Sequence, residues 1–192
     1  MTATVLLGPV AACSGSETSN PEGPRSTASS APHGLVTESD AEHILNSPVD
    51  RDPYTIKPED VPDLPGCPAY TRIADQFEQH VTYVSSEGEQ IGERVVRDGK
   101  DTEPLEDLRT CSGGTAADGT EIAIQVTSAP GGPGNINGQT KVDGETFELR
   151  ARVVDGDNIY IIGIGTPEQA DTAIEFAVAR YSGAPLPEDH SS

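Results

Sequence analysis

DGDNIYIIGIGTPEQADTAIEFAVARYSG, residues 155–183, holds a turn, a strand and a helix in direct succession. The opening Asp-Gly-Asp-Asn, residues 155–158, is rich in residues that reverse a chain, and it predicts a tight turn. The run that follows, residues 159–165, is rich in β-branched and aromatic residues and predicts a strand. A turn that leads into a strand and then a helix predicts a sheet with a helix laid across it.

The helix within this stretch carries start and stop signals. Thr166 stands at the N-cap position, Pro167 at the first helical position, and Gln169 completes a capping box. Gly183 predicts the end of the helix, because glycine adopts a left-handed C-cap conformation without strain. One helical face collects the apolar residues Ala170, Ala173, Ile174, Ala177, Val178 and Tyr181. The pattern therefore predicts an amphipathic C-terminal helix.

Upstream segments predict the strands of the sheet. Residues 121–127 and 146–154 alternate apolar and polar side chains, as half-buried strands do, and residues 81–85 and 91–97 flank a Glu-Gly-Glu turn. In 146–154 the inward side is predicted to carry Phe147, Leu149, Ala151 and Val153. We therefore expect an α+β domain over residues 35–185. It would have a single antiparallel sheet, the C-terminal amphipathic helix, and one or two short helices packed on one face.

Short helices and loops fill the remainder of this domain. A capped helix is predicted over residues 37–46, a second short helix over 69–76, and a third from Pro104 toward Cys111. The glycine-rich residues 128–140, SAPGGPGNINGQT, lack the Lys-Ser/Thr pair of a phosphate-binding loop. They predict a loose hairpin connection instead.

The N-terminal residues predict an exported protein. Val10-Ala11-Ala12-Cys13 resembles a bacterial lipobox, which implies lipidation of Cys13 and makes residues 1–12 a signal-peptide remnant. Because Met1–Thr4 lack Lys and Arg, we expect the true start to lie upstream. Residues 13–34, rich in Ser, Thr, Pro and Gly, predict a disordered tether, and residues 186–192 a short tail. We therefore expect a lipid-anchored protein at the extracytoplasmic face of the cell membrane, secreted in part.

The other two cysteines predict a disulfide. With Cys13 assigned to lipidation, Cys67 and Cys111 are an even number in an oxidising compartment. A bridge between them would close a loop of about 45 residues, which the chain-entropy model values at about 4 kcal/mol. The alternatives are less favoured: a zinc pair needs further His or Cys ligands nearby, and a catalytic thiol must stay reduced outside the cell.

Composition and charge limit the partners. With 32 acidic and 12 basic residues, the chain has a net charge of −20 that repels phosphate backbones, so we expect no nucleic-acid partner. The hydrophobic content of 34% and the aromatic content of 4% are low and indicate that part of the chain is unfolded. No run approaches the roughly 18 apolar residues that a membrane-spanning helix needs.

Four arginines form the one candidate binding site in the sequence. Two predicted strands carry the arginines Arg94, Arg97, Arg150 and Arg152. In so acidic a protein they predict an anion-binding patch, and the alternative is that they pair with Glu148, Glu93 and their neighbours on a solvated face. The chain has no G-x-S-x-G motif, and residues 155–158 lack the glycine and distal glutamate of a calcium loop. We therefore expect no enzyme activity, no cofactor and no metal.

The order of these elements resembles a known family. The matching features are LVTESDAEHIL, Cys67, the strand GERVV, the segment LRTC, the run VVDGDNIYIIGIG and the helix PEQADTAIEFAVARY. Over most of residues 35–183 the arrangement resembles the extracellular sensor domain of mycobacterial serine/threonine kinases, which also occurs in actinobacterial lipoproteins. A second, vaguer likeness is to small actinobacterial lipoproteins that fold like the photosystem protein PsbP.

The family resemblance implies an extracytoplasmic binding or sensor-like lipoprotein of the cell envelope. Its ligand would be an unknown small molecule or an envelope protein, and its membrane contact would run through the lipid at Cys13. Members of the family often carry two disulfides, and this chain has cysteines for one. The alternatives are a structural or protein-partner lipoprotein without a small ligand, and an envelope hydrolase.

Overall fold

The computed structural model describes residues 35–52, 63–74, 79–97 and 103–187. The predicted signal remnant, the lipidation site Cys13 and the predicted tether lie outside these residues, as does most of the predicted C-terminal tail. Among the helices in the described ranges, none combines the length and the apolar character that crossing a membrane requires.

The described residues form a mixed α+β fold built on one antiparallel sheet of eight strands. The strands lie in the order β1-β2-β3-β8-β7-β6-β5-β4, so the last two strands of the chain are inserted at the centre. The strands are β1 Val49–Arg51, β2 Gln79–Ser85, β3 Gln90–Val96, β4 Gly113–Thr115, β5 Glu121–Ser128, β6 Ile136–Val142, β7 Glu145–Val154 and β8 Asp157–Ile164. The helices are α1 Glu38–Leu45, α2 Pro68–Ala74, α3 Glu103–Leu108 and α4 Pro167–Ser182. The predicted fold class is confirmed.

Helices pack on both faces of the sheet and create two apolar cores. On one face, named the α4 face, Val95, Ile159 and Ile161 pack with residues of α1 and α4. On the opposite face, named the disulfide face, Val96 and Tyr160 pack with residues of α2 and α3. Neighbouring residues of one strand thus enter different cores, because side chains alternate along a strand.

The C-terminal helix forms as its sequence predicts. The Thr166 side chain accepts from the Gln169 N–H, the Gln169 side chain accepts from the Thr166 N–H, and Pro167 opens the helix. Gly183 adopts the left-handed conformation with φ 69° and ends it. The alanines at 170, 173 and 177 are buried and let the helix approach the sheet closely. These features position α4 across β7, β8 and β3.

The N-terminal helix α1 is tied to α4 by a buried carboxylate. Asp40 closes the capping box with Thr37 and also accepts two hydrogen bonds from Arg180 of α4, at 2.7 and 2.9 Å. Burial alone would raise the pKa of Asp40, but the hydrogen bonds from Arg180 and Thr37 outweigh it and lower that pKa. The pair therefore joins the first and last helices of the described domain.

A second carboxylate lies within the core of the α4 face. Glu93 has no exposed surface, and its Oε2 accepts the Val36 N–H at 2.6 Å. Its Oε1 has no hydrogen-bond partner. Burial raises the pKa of Glu93 to about 7, and the nearby Asp40 adds to the rise, while the Val36 N–H and Arg94 oppose it. The carboxyl group therefore titrates near neutral pH.

The glycine-rich stretch differs from its prediction. Residues 128–140 were expected to form a loose hairpin connection. Residues 129–135 do connect β5 and β6 as an antiparallel hairpin, but β6 already begins at Ile136. Pairing with β5 and β7 on both sides makes Ile136–Val142 an interior strand. Tertiary pairing overrides the low strand propensity of Asn and Gly here.

The predicted turn and the predicted disulfide are both present. Asp155 and Gly156 reverse the chain between β7 and β8, with φ angles of 52° and 90°. The positive φ at the second position favours glycine there. Cys67 and Cys111 are bonded, with their Cα atoms 5.4 Å apart and a sequence separation of 44. Cys67 is fully buried on the disulfide face. The bridge links the segment before α2 to the segment after α3.

Candidate functional site

The α4 face is only partly covered by helices. α4 packs on β7, β8 and β3, and α1 packs on β1 and β2. The same face of β5 and β6 has no helix over it among the described residues. At the start of α4, the covered part of the sheet meets the uncovered part. A cleft lies at this boundary.

This cleft, named the polar cleft, has a volume of about 530 Å³. Its floor is formed by side chains of β5, β6 and β7, and Pro167 at the start of α4 lies at one end. The turn that follows α3 lies at the other end, beside the outer edge of β5. The lining residues are Arg109, Cys111, Ser112, Ile124, Gln125, Val126, Thr127, Asn137, Gly138, Gln139, Glu148, Arg150 and Pro167.

The floor of the polar cleft is a grid of polar side chains set by strand register. Gln125 lies opposite Gln139, which lies opposite Glu148. In the next row the order is Thr127, Asn137 and Arg150. Neighbouring strands are about 4.8 Å apart, so each row spans about 10 Å across the three strands.

One end of the grid is a buried ion-pair network. Arg150 and Glu148 are each 4% exposed. The Arg150 Nη1 donates to Glu148 Oε2 at 3.0 Å, and Gln139 Nε2 donates to Glu148 Oε1 at 2.6 Å. Arg150 also donates to Asp171 on α4 and to the carbonyl of Pro167 at 3.0 Å. Both charges are thereby compensated, as burial requires.

The centre of the floor carries an unused hydrogen-bonding atom. The Asn137 Oδ1 is buried and has no hydrogen-bond partner. Beside it, the Thr127 hydroxyl donates to the Asn137 carbonyl at 3.3 Å. Gly138 is required between the two amide residues, because a Cβ there would collide with the Gln125 carbonyl and Val126. A buried acceptor without a donor costs free energy that a ligand donor would recover.

At the outer end of the cleft, the exposed side chain of Arg109 lies beside the edge of β5. β4 pairs with β5 only as far as Ala123, and the Ile124 N–H donates to the Ser112 carbonyl at 3.2 Å. Arg109 is exposed and donates to the Ser128 hydroxyl. Arg109 and Arg150 therefore stand at opposite ends of the cleft.

No family model, curated protein or solved structure matches this chain. The resemblance to a kinase sensor domain thus stays a prediction. Because one fold serves many functions, the residues of the site itself indicate the function.

The four arginines predicted as an anion-binding group do not share one surface. Arg150 and Arg152 share one face of β7, as predicted, but this is the face that α4 covers. Arg94 lies on the opposite face of the sheet, because it is paired with Tyr160 rather than with Ile159. Arg94 is buried and donates to Thr82 and to carbonyl oxygens, and its burial lowers its pKa to about 10.

The remaining two arginines are also separate. Arg152 donates to the carbonyls of Ile136 and Ala151, at 3.0 and 2.8 Å, and lines a second cleft of about 460 Å³ beside Glu175 and Val178 of α4. Arg97 is exposed at the end of β3. The alternative pairing with Glu148 is present for Arg150, but on a buried face rather than a solvated one.

The polar cleft is rich in hydrogen-bonding side chains. Its lining contains no histidine, and its cysteine, Cys111, is held in the disulfide. Its carboxylate, Glu148, is engaged by Arg150 and Gln139. Within the described ranges, no cluster of His, Cys, Asp and Glu could hold a metal ion.

Sequence reasoning missed most of this site. Asn137 and Gln139 were placed in the glycine-rich connection, and their alternation about Gly138 went unused as a strand signal. Arg109 lies in a turn with no motif around it. Only Arg150 was named as a site residue in advance.

Proposed function

We propose that this protein is a lipid-anchored binding protein of the actinobacterial cell envelope. Cys13 would hold it at the extracytoplasmic face of the membrane, and residues 13–34 would serve as the tether. Its ligand would lie in the polar cleft. The observation that carries the proposal is this cleft, which is lined by Asn137, a residue whose side-chain oxygen has no hydrogen-bond partner.

The floor of the polar cleft supports binding of an uncharged, hydrogen-bonding part of a ligand. Gln125, Asn137 and Gln139 each carry an amide with donor and acceptor atoms. The buried charges of Arg150 and Glu148 compensate each other, so neither is available to a charged ligand. The net charge of −20 further disfavours anionic polymers.

Export is supported by two independent features of the chain. The lipobox-like residues 10–13 precede a segment without large apolar residues. The Cys67–Cys111 bridge is typical of proteins that fold in oxidising compartments. Both agree with a domain that faces the cell wall.

A ligand in the polar cleft is expected to stabilise the folded chain. We would screen short peptides, disaccharides, organic phosphates and divalent cations by thermal unfolding of the oxidised protein. A compound at about 100 times its Kd adds about 2.7 kcal/mol, which raises Tm by several degrees.

Two matched variants locate the binding site in that screen. Gln125→Ala, in the cleft floor, should reduce the upshift in Tm, because Gln125 is exposed there. Gln90→Ala, four strands away on β3, should preserve it. An unchanged upshift in Gln125→Ala would place the ligand elsewhere, and no upshift with any compound would favour a structural or protein-partner lipoprotein.

Lipidation of Cys13 is expected to control membrane association. In an actinobacterial host, the wild-type chain should partition into the detergent phase with the added mass of a diacylglyceryl group. Cys13→Ser should move it to the aqueous phase, whereas Ser16→Ala should not. Mass spectrometry of both fractions checks this, and an unmodified Cys13 in membrane-bound protein would contradict the anchor.

A further inference from the structure

The grid of the polar cleft has the spacing of an extended peptide. The row from β5 to β7 spans about 10 Å, and three residues of extended chain span about the same length at 3.3 to 3.6 Å per residue. The amides of Gln125 and Gln139 lie along one such row, and the amide of Asn137 lies in the neighbouring row. An amide side chain offers a donor and an acceptor together, which matches the paired N–H and C=O of a peptide group.

The two ends of the cleft differ in charge. At the α4 end, the Arg150 guanidinium donates to Glu148, Asp171 and backbone carbonyls within the described residues. At the outer end, the exposed Arg109 guanidinium contacts the Ser128 hydroxyl, and no carboxylate of the described residues forms an ion pair with it. Arg109 is thus the lining cation that can receive an anionic group.

We infer that the polar cleft binds a short peptide of about three residues with a free C-terminal carboxylate. This inference rests on the proposed binding function and names its ligand class. The carboxylate pairs with Arg109 at the strand edge, and the peptide groups cross β5 and β6. A peptide N–H donates to Asn137 Oδ1, and the chain ends against Pro167. In a protein of net charge −20, one carboxylate is tolerated only beside such a cation.

The test compares N-acetyl-trialanine as the free acid and as its C-terminal amide. Binding to the full oxidised chain is followed by NMR, through the side-chain N–H signals of Asn137, Gln139 and Arg109. The acid should bind about fivefold more tightly than the amide, as expected for one exposed charge pair. The preference should weaken as salt is added.

Matched arginine variants separate the parts of this inference. Arg109→Gln should remove the preference for the acid while binding of the amide persists. Arg72→Gln, at an exposed arginine of α2 bonded to Asp107, should retain the preference. Equal binding of acid and amide to the wild-type chain would overturn the role of Arg109.

The remaining outcomes distinguish this inference from the proposed function. If neither peptide binds but maltose or another panel compound shifts the same amide signals, the peptide class is overturned and the binding function stands. If no compound shifts those signals, both the peptide ligand class and the proposed binding function are overturned.

Discussion

Replacing Arg150 by methionine is expected to lower the free energy of unfolding by about 3 to 5 kcal/mol, the range found when one partner of a buried ion pair is removed. Methionine keeps much of the side-chain volume but donates no hydrogen bond. Glu148, 4% exposed, would then keep only the Gln139 amide as a side-chain donor. The Pro167 carbonyl at the start of α4 would also lose the hydrogen bond from Arg150, so the helix would be anchored less firmly to β7.

An exposed arginine provides the matched control. Arg72 bonds Asp107 at 2.8 Å, but the two side chains are 46% and 45% exposed. Arg72→Met should therefore cost at most about 1 kcal/mol, because water solvates both partners. Chemical denaturation of the oxidised proteins measures both variants.

A double variant separates the stability lost with the Arg150 hydrogen bonds from the cost of leaving the Glu148 charge buried without a cation. Adding Glu148→Leu to Arg150→Met removes the orphaned charge and should recover part of the stability, as apolar replacement of buried ion pairs often does. A loss in Arg150→Met no larger than in Arg72→Met would show that the buried network contributes little.

The sequence predicted those elements whose signals are local. The caps of α4 at Thr166 and Gly183 depend on residues within one turn of each helix end, and both are confirmed. The Asp155-Gly156 turn likewise depends on two adjacent residues. The disulfide followed from counting cysteines, since only Cys67 and Cys111 were left to pair.

Elements fixed by distant partners were not predicted. β6 is a strand because β5 and β7 pair with it on either side, although its Asn, Gly and Gln favour loops. The polar side of β7 was expected to face solvent or a ligand, since it carries Glu148 and Arg150. It is buried because α4 packs over it, and no local pattern encodes where a helix will lie.

The candidate site depends on the same long-range facts. Its floor exists only because β6 brings Asn137 and Gln139 between β5 and β7. Arg109 reaches it because the disulfide and the short β4 hold the turn after α3 beside the edge of β5. A sequence pattern identified Arg150 alone, and for the wrong environment.

Glu93→Gln is expected to stabilise the protein by an amount that grows with pH. The folded-state pKa of Glu93 is raised from 4.5 to about 7, mainly by burial. Above the unfolded value, the unfolded state releases the proton first, so the contribution of this group to stability falls as pH rises from 4.5 to about 7. The total loss is on the order of 3 kcal/mol. Replacing Glu93 by glutamine removes this loss of stability, and the side-chain carbonyl of the glutamine still accepts the Val36 N–H.

The difference in unfolding free energy between Glu93→Gln and the wild type isolates this group. It should be near zero at pH 4.5 and reach its plateau above pH 7. Other charged groups near Glu93 are Asp40, paired with Arg180, and Arg94. They are present in both proteins, so their titration largely cancels in the difference.

A second glutamate measures the general effect of charge. Glu145→Gln, at an exposed position on β7, lowers the net negative charge by the same amount. Subtracting the effect of Glu145→Gln leaves the part of the stability difference that arises from burial of Glu93. Because the cost of ionising the buried Glu93 falls beside Val36, which precedes α1, that part should be accompanied by faster amide exchange in α1 of the wild type above pH 7, after correction for the intrinsic pH dependence. A flat difference from pH 4.5 to 8 would mean that the carboxyl group finds a partner or water when ionised, and that α1 does not sense its charge.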